Sequence, residues 1–319
     1  EWRDRAGSRM NILVVNQTHP AVAHISSVRA WRFAQELSRI GHRVVQITGP
    51  VPSEMTSATI AQHDGSQPLV IPCQSRPHDC RSRNPVLRKL KTAFNLLRNG
   101  GADATWCKDA VRQAVEAMPE FRPDVVWCTF GQGEALFASR RIAQACKCPW
   151  VLDLKDNWEA FIPFGLRKLM ALRTSGWSLL TSNAQFNAGM GEKWHGGSAH
   201  VIYSGVDESF HPTGMKKQGD GKFIINLVGS VYSEERLGQF FLGLAAWLAA
   251  LPEQKRNSVA LRYLGGDLCR VQTVANKVIH QATFQAYGHV PVTQFAQYCL
   301  EASVNTYISN DHGFHHKLL

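Results

Sequence analysis

The order of short apolar runs and amphipathic segments restricts this chain to one class of fold. Residues 11–15 read NILVV, a run rich in β-branched residues that is typical of a strand buried on both faces. An apolar stripe with helical spacing follows, Gly41 ends it, and RVVQIT then predicts a second strand. A strand, a helix and a strand within about forty residues form a βαβ unit, which requires a parallel sheet.

The same alternation runs twice along the chain. The strands predicted in the first series include DVVWCTF, WVLDL, SLLTSN and HVIYSGVD, and those in the second are FIINLVG, VALRYLGG, TFQAYG and ASVNTYIS. The stretch between the two series is polar and rich in Gly, Pro and Lys, which is typical of a linker. We therefore predict an α/β protein made of a tail or cloning remnant (residues 1–9), a Rossmann-like domain (10–204), a linker (205–222) and a second, incomplete Rossmann-like domain (223–319).

The composition restricts which kinds of partner and which cellular compartment are expected. The formal net charge is +10 and the pI is near 9.3, which favours an anionic partner such as a phosphate, a nucleotide or an anionic membrane. The eight cysteines form no CxxC pair, so a reducing compartment is expected, and Cys146 and Cys148 are expected to point apart. No run approaches the length of a membrane span, and the first nine residues lack the apolar core of a signal peptide.

Eight stretches of the sequence occur in a recognisable order: MNILVVNQTHP, GHRVVQITG, PDVVWCTF, VLDLKDNW, VIYSGVDESFHP, INLVGSVYSEERLG, LRYLGGD and AYGHVPVTQFAQYCLEASVNTYIS. Together they resemble family 4 retaining glycosyltransferases of the GT-B fold, of the type that builds bacterial cell-surface polysaccharides. The resemblance covers residues 10–319 and is strongest at Val201–Pro212. It implies two Rossmann-like domains facing each other across a cleft, with a nucleotide sugar on the second domain and the acceptor mainly on the first.

The resemblance implies a donor site in the second domain. The first phosphate loop of the family corresponds to Gly229 and Ser230, although serine replaces the usual arginine, and Arg236 lies one residue from the usual lysine. His289 and Val290 match the turn whose backbone contacts the nucleobase. Fixed cations stabilise the negative charge that develops on a leaving diphosphate. The resemblance implies that basic side chains and helix N-termini do this here, so no metal and no other cofactor is expected.

The end of the chain, NDHGFHHKLL, resembles the front half of the family's donor loop. His312 stands where the family has its first Glu, Gly313 and Phe314 match, and Lys317 matches a lysine that a variant of the loop carries. The second Glu of that loop would fall one residue beyond Leu319. The resemblance therefore implies several tens of further residues, and a 319-residue chain that folds but is nearly inactive.

The acceptor side is expected to carry acidic residues. Asp153 and Asp156 in LDLKDNW match a D-x-x-D-x-W stretch of the family, and one of them is expected to orient an acceptor hydroxyl. A carboxylate that only caps the following turn is the alternative. The expected acceptor is a glycan or a lipid-linked sugar, and the expected location is the cytoplasm, peripherally on the inner face of the membrane.

A basic amphipathic stretch supports a membrane-facing role but has a second interpretation. Such a helix can lie on an anionic leaflet, or it can be an ordinary domain helix with a solvated basic face. The apolar and basic stretch WEAFIPFGLRKLMALR adds to the first interpretation. In PVLRKLKTAFNLLRN one face carries Leu87, Leu90, Phe94 and Leu97, and another carries Arg88, Lys91, Asn95 and Arg98.

Other classes of function compete with a hexosyltransferase. An epimerase of the same two-domain fold would use a nucleotide sugar without an acceptor. His19 and His24 are the residues that support this alternative. A nucleic-acid binder would explain the net charge, but no recognition motif appears, so no nucleic-acid partner is expected. GQGEAL lacks the third glycine of a dinucleotide motif, and the terminal histidines suit zinc spacing poorly. A second copy of the chain is a further candidate partner, through the sheet face that missing helices would cover.

Overall fold

Two compact units make up the chain, and they divide between Ser204 and Gly205. The computed structural model of the protein describes residues 9–22, 25–50, 65–77, 84–205, 221–280, 282–288 and 290–308.

The first unit is built on a seven-stranded parallel sheet with the strand order β3-β2-β1-β4-β5-β6-β7. The chain works outward from β1 to one edge and then continues on the other side of β1, as in doubly wound folds. Its strands are β1 (Asn11–Val15), β2 (Arg43–Thr48), β3 (Leu69–Pro72), β4 (Val125–Phe130), β5 (Trp150–Leu154), β6 (Leu179–Ser182) and β7 (Ala199–Val201).

The residues of the first sheet feed two separate cores. Because side chains alternate along a strand, Leu13 and Val15 of β1 enter one core together with the buried Trp106, whereas Ile12 and Val14 enter another. The helices of this unit are α1 (Ile25–Arg39), α2 (Pro85–Asn99), α3 (Ala104–Ala117), α4 (Gly133–Cys146), α5 (Trp158–Phe161), α6 (Arg167–Arg173) and α7 (Gln185–His195), with a 3-10 turn at Phe164–Leu166.

The second unit is smaller and has a four-stranded parallel sheet with the order β10-β9-β8-β11. Tyr263, Leu237 and Phe241 are buried in its core. The predicted α/β class with two parallel sheets is confirmed. The elements of this unit are β8 (Phe223–Val228), α8 (Glu234–Ala250), α9 (Glu253–Asn257), β9 (Val259–Leu264), α10 (Leu268–Val278), β10 (Thr283–Tyr287), α11 (Val292–Glu301) and β11 (Val304–Thr306).

The sequence-based expectation for Cys146 and Cys148 is wrong. Lys147 caps α4 in the left-handed conformation at φ 54°, and this turn brings the two flanking thiols together. A hydrogen bond between the thiols raises the pKa of Cys148 and lowers that of Cys146. Side chains two residues apart share one face of an extended backbone, so the spacing of the two cysteines gives no reason for their thiols to point apart.

No helix among the described residues has both the length and the apolar character needed to cross a bilayer.

Candidate active-site residues

The first sheet presents its candidate site where the strand order reverses, beside the carboxyl ends of β1 and β4. Ligands of doubly wound sheets bind in the crevice at such a point. The loop after β1 is fixed by Asn16, whose side-chain amide donates to the Ser26 carbonyl at 2.8 Å and whose oxygen accepts the Thr18 N–H at 2.8 Å. This buried amide therefore sets the path by which the chain approaches α1.

His19 lies in the same loop and is buried. Its Nδ1 accepts the Ala21 N–H at 3.1 Å, which places the proton of the neutral ring on Nε2. Burial lowers the pKa of His19, so the imidazole is neutral near pH 7. A neutral ring with an Nε2–H can donate a hydrogen bond at this edge of the sheet.

Three residues from two other parts of the chain lie close to Gly131, which follows β4. A β-carbon on Gly131 would lie 2.7 Å from Ser26 Oγ, 3.4 Å from Lys155 Cε and 3.7 Å from Asp156 Oδ2. We call these four residues, Ser26, Gly131, Lys155 and Asp156, the Gly131 cluster. Glycine leaves room for this close approach, so packing explains the first glycine of GQGEAL.

The second glycine of that stretch also has a packing role. A β-carbon on Gly133 would clash with the Gly100 carbonyl oxygen. The next residue, Glu134, is buried at the start of α4 and accepts the Asp103 N–H at 2.9 Å, and burial raises its pKa. A carboxyl group thus occupies the helix start where a dinucleotide phosphate would bind, which argues against the dinucleotide interpretation.

Lys155 and Asp156 form an ion pair at the end of β5. The side chain of Lys155 is 3% exposed and that of Asp156 is 20% exposed. The Lys155 carbonyl accepts the side-chain amide of Asn187 at 3.0 Å, which ties the pair to α7. Asp156 is therefore the acidic residue of LDLKDNW that reaches the surface beside a fixed cation.

Asp153 occupies a different environment from Asp156. It is fully buried, and Arg29 of α1 binds both carboxylate oxygens, at 3.0 Å from Nε and 2.9 Å from Nη2. Thr181 donates to the same carboxylate at 2.9 Å. With its oxygens engaged inside the domain, Asp153 supports the fold, and the geometry favours Asp156 as the group that meets an acceptor. Neither role is tested, so both assignments stay predictions.

The second unit places Gly229 and Ser230 on the connection from β8 to α8, and Arg236 in the first turn of α8. Gly229 adopts φ 82°, a left-handed conformation that favours glycine. Its N–H donates to the Leu264 carbonyl at 2.8 Å, and its carbonyl accepts the Tyr263 hydroxyl at 3.0 Å. These bonds join the β8 loop to β9.

A second set of bonds holds the same connection from the β9 side. The Val231 N–H donates to Asp267 Oδ2 at 2.9 Å, and Arg270 Nη1 donates to the Val231 carbonyl at 2.9 Å. Ser233 caps α8 by accepting the Arg236 N–H at 3.2 Å, which places Arg236 in the first turn of that helix. Hydrogen bonds with Tyr263, Asp267 and Arg270 thus hold the loop that carries the expected phosphate contacts.

The other predicted donor residues are farther away or outside the described residues. Val290 follows β10, which is separated from β8 by β9 in the sheet order. The strand order reverses between β8 and β11, which are parallel neighbours. The described residues that follow β11 therefore lie beside the loop that follows β8. The predicted site residues outside the described part of the chain are His24, His289, His312, Gly313, Phe314 and Lys317.

Sequence reasoning does not identify Arg29, Lys155 or Tyr263 as important. Lys155 alone has a local signal, since a lysine that ends a buried strand needs a partner for its charge. Arg29 and Tyr263 act through partners that are distant in sequence or belong to the backbone. No group of three or more His, Cys, Asp or Glu side chains suited to a metal ion occurs in the described part of the chain.

Solved structures resemble this protein in fold, whereas no protein-family model and no curated protein sequence matches it. Anabaena Alr3699/HepE in complex with UDP and glucose matches with a TM-score of 0.58 and 17% identity, over 93% of this chain and 73% of that one. Sucrose-phosphate synthase from Thermosynechococcus elongatus matches with a TM-score of 0.59 and 11% identity, over 93% and 75%.

An epimerase is also among the similar structures. UDP-GlcNAc 2-epimerase from Neisseria meningitidis, bound to UDP-GlcNAc, matches with a TM-score of 0.51 and 12% identity, over 94% of this chain and 78% of that one. At these identities the similarity establishes the fold alone. The two parallel sheets and these matches together give the chain the GT-B fold.

Proposed function

We propose that this protein is a glycosyltransferase that moves a hexosyl group from a nucleotide-sugar donor to a glycan or lipid-linked acceptor, with retention of the anomeric configuration. The observation that carries the proposal is the place of the β8–α8 connection. The connection puts Gly229 and Ser230 at the carboxyl edge of the second sheet, next to the point where the strand order reverses, and Arg236 follows in the first turn of α8. A helix start with a nearby cation suits a diphosphate.

Each domain has its own part in this proposal. We assign the donor to residues 223–319, the acceptor to residues 10–204, and the link between them to residues 205–222. On the acceptor side, Asp156 would orient the incoming hydroxyl, while Lys155 holds the carboxylate in place. The similar structures that contain UDP or UDP-GlcNAc support a uridine diphosphate donor.

The cellular setting follows from the resemblance and from charge. We infer a role in cell-surface polysaccharide synthesis, in the cytoplasm and peripherally on the inner face of the membrane. The net charge of +10 suits both an anionic leaflet and an anionic donor. Arg236 and Lys317 are assigned to the diphosphate, so the proposal includes no metal ion.

Titration calorimetry tests the nucleotide assignment directly. UDP, GDP and ADP are titrated into the purified protein, each with and without a chelator, and small molecules that co-purify are identified by mass spectrometry. We expect one nucleoside diphosphate to bind with the same affinity in both conditions. Failure of all three to bind would overturn the donor assignment. Binding that a chelator abolishes and zinc restores would show that a metal ion takes part in the site.

An epimerase is the second candidate, supported by the epimerase among the similar structures and by the neutral His19 beside the first sheet. Proton NMR of a nucleotide sugar incubated with the protein distinguishes the two functions. Inversion at a ring carbon without an acceptor indicates an epimerase. Transfer that needs an acceptor and keeps the anomeric coupling constant of the donor indicates a retaining transferase.

A further inference from the structure

One surface of the first domain exposes large apolar side chains that a domain helix would ordinarily bury. On α2, the side chains of Val86, Leu87, Leu90 and Phe94 are each at least 50% exposed. The core contacts of the helix come from its end, through Leu96 and Leu97. The first two turns of α2 are exposed all round. This arrangement departs from the interpretation of α2 as a domain helix whose apolar face is buried.

A second group of exposed apolar side chains lies on the neighbouring segment. The helix α6 contacts α2, and the segment that contains α5, the 3-10 turn and α6 exposes Phe161, Phe164, Leu169 and Leu172. We call these four residues and the four on α2 the α2–α6 surface. Exposed large apolar side chains on two contacting segments mark an interaction site more often than an isolated exposed leucine does.

Among the described residues, the charges that α2 and α6 carry have one sign. Neither α2 nor α6 contains an acidic residue. The acidic residue of the segment from α5 to α6 is Glu159, which is already engaged, since it accepts from Arg167 at 3.0 Å and from Lys193 at 2.6 Å. Exposed cations lie next to the apolar positions: Arg88, Lys89 and Lys91 on α2, and Lys168 on α6.

The helical spacing places apolar and basic groups on adjoining strips. On α2, Leu90 and Phe94 are separated by one turn, and Lys91 follows Leu90 by about 100°, so its ammonium can reach past the apolar strip. On α6, Leu169 and Leu172 share a strip, and Lys168 lies at its side. Lysine stems lie along apolar surface while their charges reach toward water or headgroups.

We propose that the α2–α6 surface docks onto an anionic lipid bilayer, with the apolar side chains at the acyl boundary and the lysines among the headgroup phosphates. Apolar side chains beside cations are the pattern of interfacial helices. A second copy of the chain is a poorer occupant, because a two-fold contact sets the same patch against itself. The cations Arg88, Lys89, Lys91 and Lys168 would then meet like charges, and neither helix carries an acid that could pair with them.

This inference deepens the proposed function, from which it takes the membrane as a partner, and it identifies the surface that the membrane contacts. An enzyme that acts on a lipid-linked acceptor gains from lying on the leaflet that holds it, because the search for the acceptor then takes place in two dimensions. The inference itself depends only on lipid binding. It therefore stands apart from the identity of the nucleotide.

Vesicle flotation tests the proposal with the whole chain. Vesicles of phosphatidylcholine mixed with phosphatidylglycerol are compared with vesicles of phosphatidylcholine alone. We expect binding to the anionic vesicles only, and weaker binding as the salt concentration rises from about 0.05 M to about 0.5 M, because screening shortens the reach of the lysine charges.

Two variants with matched controls localise the contact. Lys89→Glu/Lys91→Glu should lower the partition coefficient by about 25-fold or more, since each cation near an anionic leaflet contributes about 1 kcal/mol. Leu90→Ser/Phe94→Ser should lower it at least about tenfold by removing buried apolar area. The controls Lys255→Glu and Ile40→Ser change exposed residues elsewhere and should leave binding unchanged.

Every outcome bears on the proposal. Absent binding, equal binding to both vesicle types, or equal loss in the controls would overturn it. A dimer in sedimentation that Leu90→Ser/Phe94→Ser dissociates, without lipid binding, would assign the surface to a second copy. UDP titration of the same proteins separates the two proposals. UDP binding without lipid binding would refute only the docking surface. Lipid binding without nucleotide binding would refute only the proposed function.

Discussion

Arg29 and Asp153 form a two-point ion pair that lies wholly inside the first domain, with side-chain exposures of 2% and 0%. Arg29 belongs to α1 and Asp153 to β5. The arginine also donates to the Ile202 carbonyl at 3.0 Å and to Ser204 Oγ at 3.0 Å. One guanidinium therefore joins the first helix, the middle of the sheet and the last residues of the domain.

Removing one member of this pair should destabilise the first domain strongly. Asp153→Asn leaves the Arg29 guanidinium buried without its counter-charge, and breaking a buried pair typically costs about 3–5 kcal/mol. Urea unfolding followed by tryptophan fluorescence measures the effect, because most of the tryptophans lie in this domain. The control Glu36→Gln breaks an exposed pair with Arg39 and should change the unfolding free energy by less than about 1 kcal/mol. Equal effects of the two variants would contradict the structural role of Asp153.

Asp156 should affect turnover more than nucleotide binding. It reaches the surface of the first domain, whereas the proposed donor residues lie in the second. We expect Asp156→Asn to slow transfer about tenfold to hundredfold, as for a lost positioning group, and to leave the Kd for UDP unchanged.

The assay for Asp156 needs a fold control, because the substitution leaves Lys155 without its partner. Lys155→Met/Asp156→Asn removes both charges, and circular dichroism reports whether each variant is folded. A folded double variant that is as slow as Asp156→Asn supports the prediction. Turnover at the level of the unmodified protein in either folded variant would show that Asp156 does not meet the acceptor.

Arg236 should contribute to diphosphate affinity. It stands in the first turn of α8, beside the loop that holds Gly229 and Ser230. Arg236→Ala should weaken UDP binding by about 1–3 kcal/mol, as for a lost hydrogen bond to a charged group, and Lys317→Ala is expected to act in the same direction. Titration calorimetry measures both, with Lys255→Ala as the control. An unchanged Kd in both variants would remove the pair from the donor site.

The sequence is sufficient to predict the strands and helices whose patterns are strong. It does not predict two elements of the first domain. β3 is a four-residue run that ends in Pro72, and a proline argues against a strand unless the strand lies at an edge. In the sheet, β3 is the edge strand. The pattern also fails to indicate α3, because small residues, among them Ala110, Ala114 and Cys107, form much of its buried face and give a weak periodic signal.

The candidate site is predictable only where a local motif exists. LDLKDNW marks Asp153 and Asp156, yet the motif does not separate a buried structural acid from an exposed one. That distinction depends on Arg29, which lies 124 residues away in the chain. Cys146 and Cys148 show the same limit at short range, because the left-handed conformation of Lys147, at which the two flanking thiols meet, has no signal in the sequence.

His195 should make the first domain less stable in acid. It ends α7, its ring meets Trp158 edge-on at 4.5 Å, and neither ring nitrogen has a partner among the described residues. Burial, with a smaller effect of Lys168, lowers its pKa from 6.5 to about 4. The unfolded chain therefore takes up a proton first, so stability is highest above pH 6.5 and falls as the pH drops toward 4.

The size of this loss follows from the shift in pKa. Each unit is worth about 1.4 kcal/mol, so the unfolding free energy should fall by about 3 kcal/mol over that range. Urea unfolding at a series of pH values measures the slope, and His195→Phe, which keeps an aromatic ring, should flatten it. A variant that keeps the full acid dependence would assign it to other groups.

Gly265 should be intolerant of a β-carbon because two loops meet there. Added to Gly265, a β-carbon would lie 2.5 Å from the Gly229 carbonyl oxygen and 2.5 Å from the Tyr263 hydroxyl. Since these atoms are hydrogen-bonded to each other at 3.0 Å, Gly265→Ala has to displace the β8 loop. We expect a loss of about 1–3 kcal/mol of stability in the second domain and weaker UDP binding, because Gly229 belongs to the expected phosphate loop.

Gly238 provides the matched control for this prediction. It lies within α8, and a β-carbon there would meet nothing within 4 Å. Gly238→Ala should therefore stabilise the domain by up to about 1 kcal/mol, because alanine favours a helix over glycine. Hydrogen–deuterium exchange of peptides from β8 and β9 reads out both variants: faster exchange is expected for Gly265→Ala, and unchanged or slower exchange for Gly238→Ala. If Gly265→Ala left both the exchange rates and the UDP affinity unchanged, the bracing of the β8 loop by β9 would not hold.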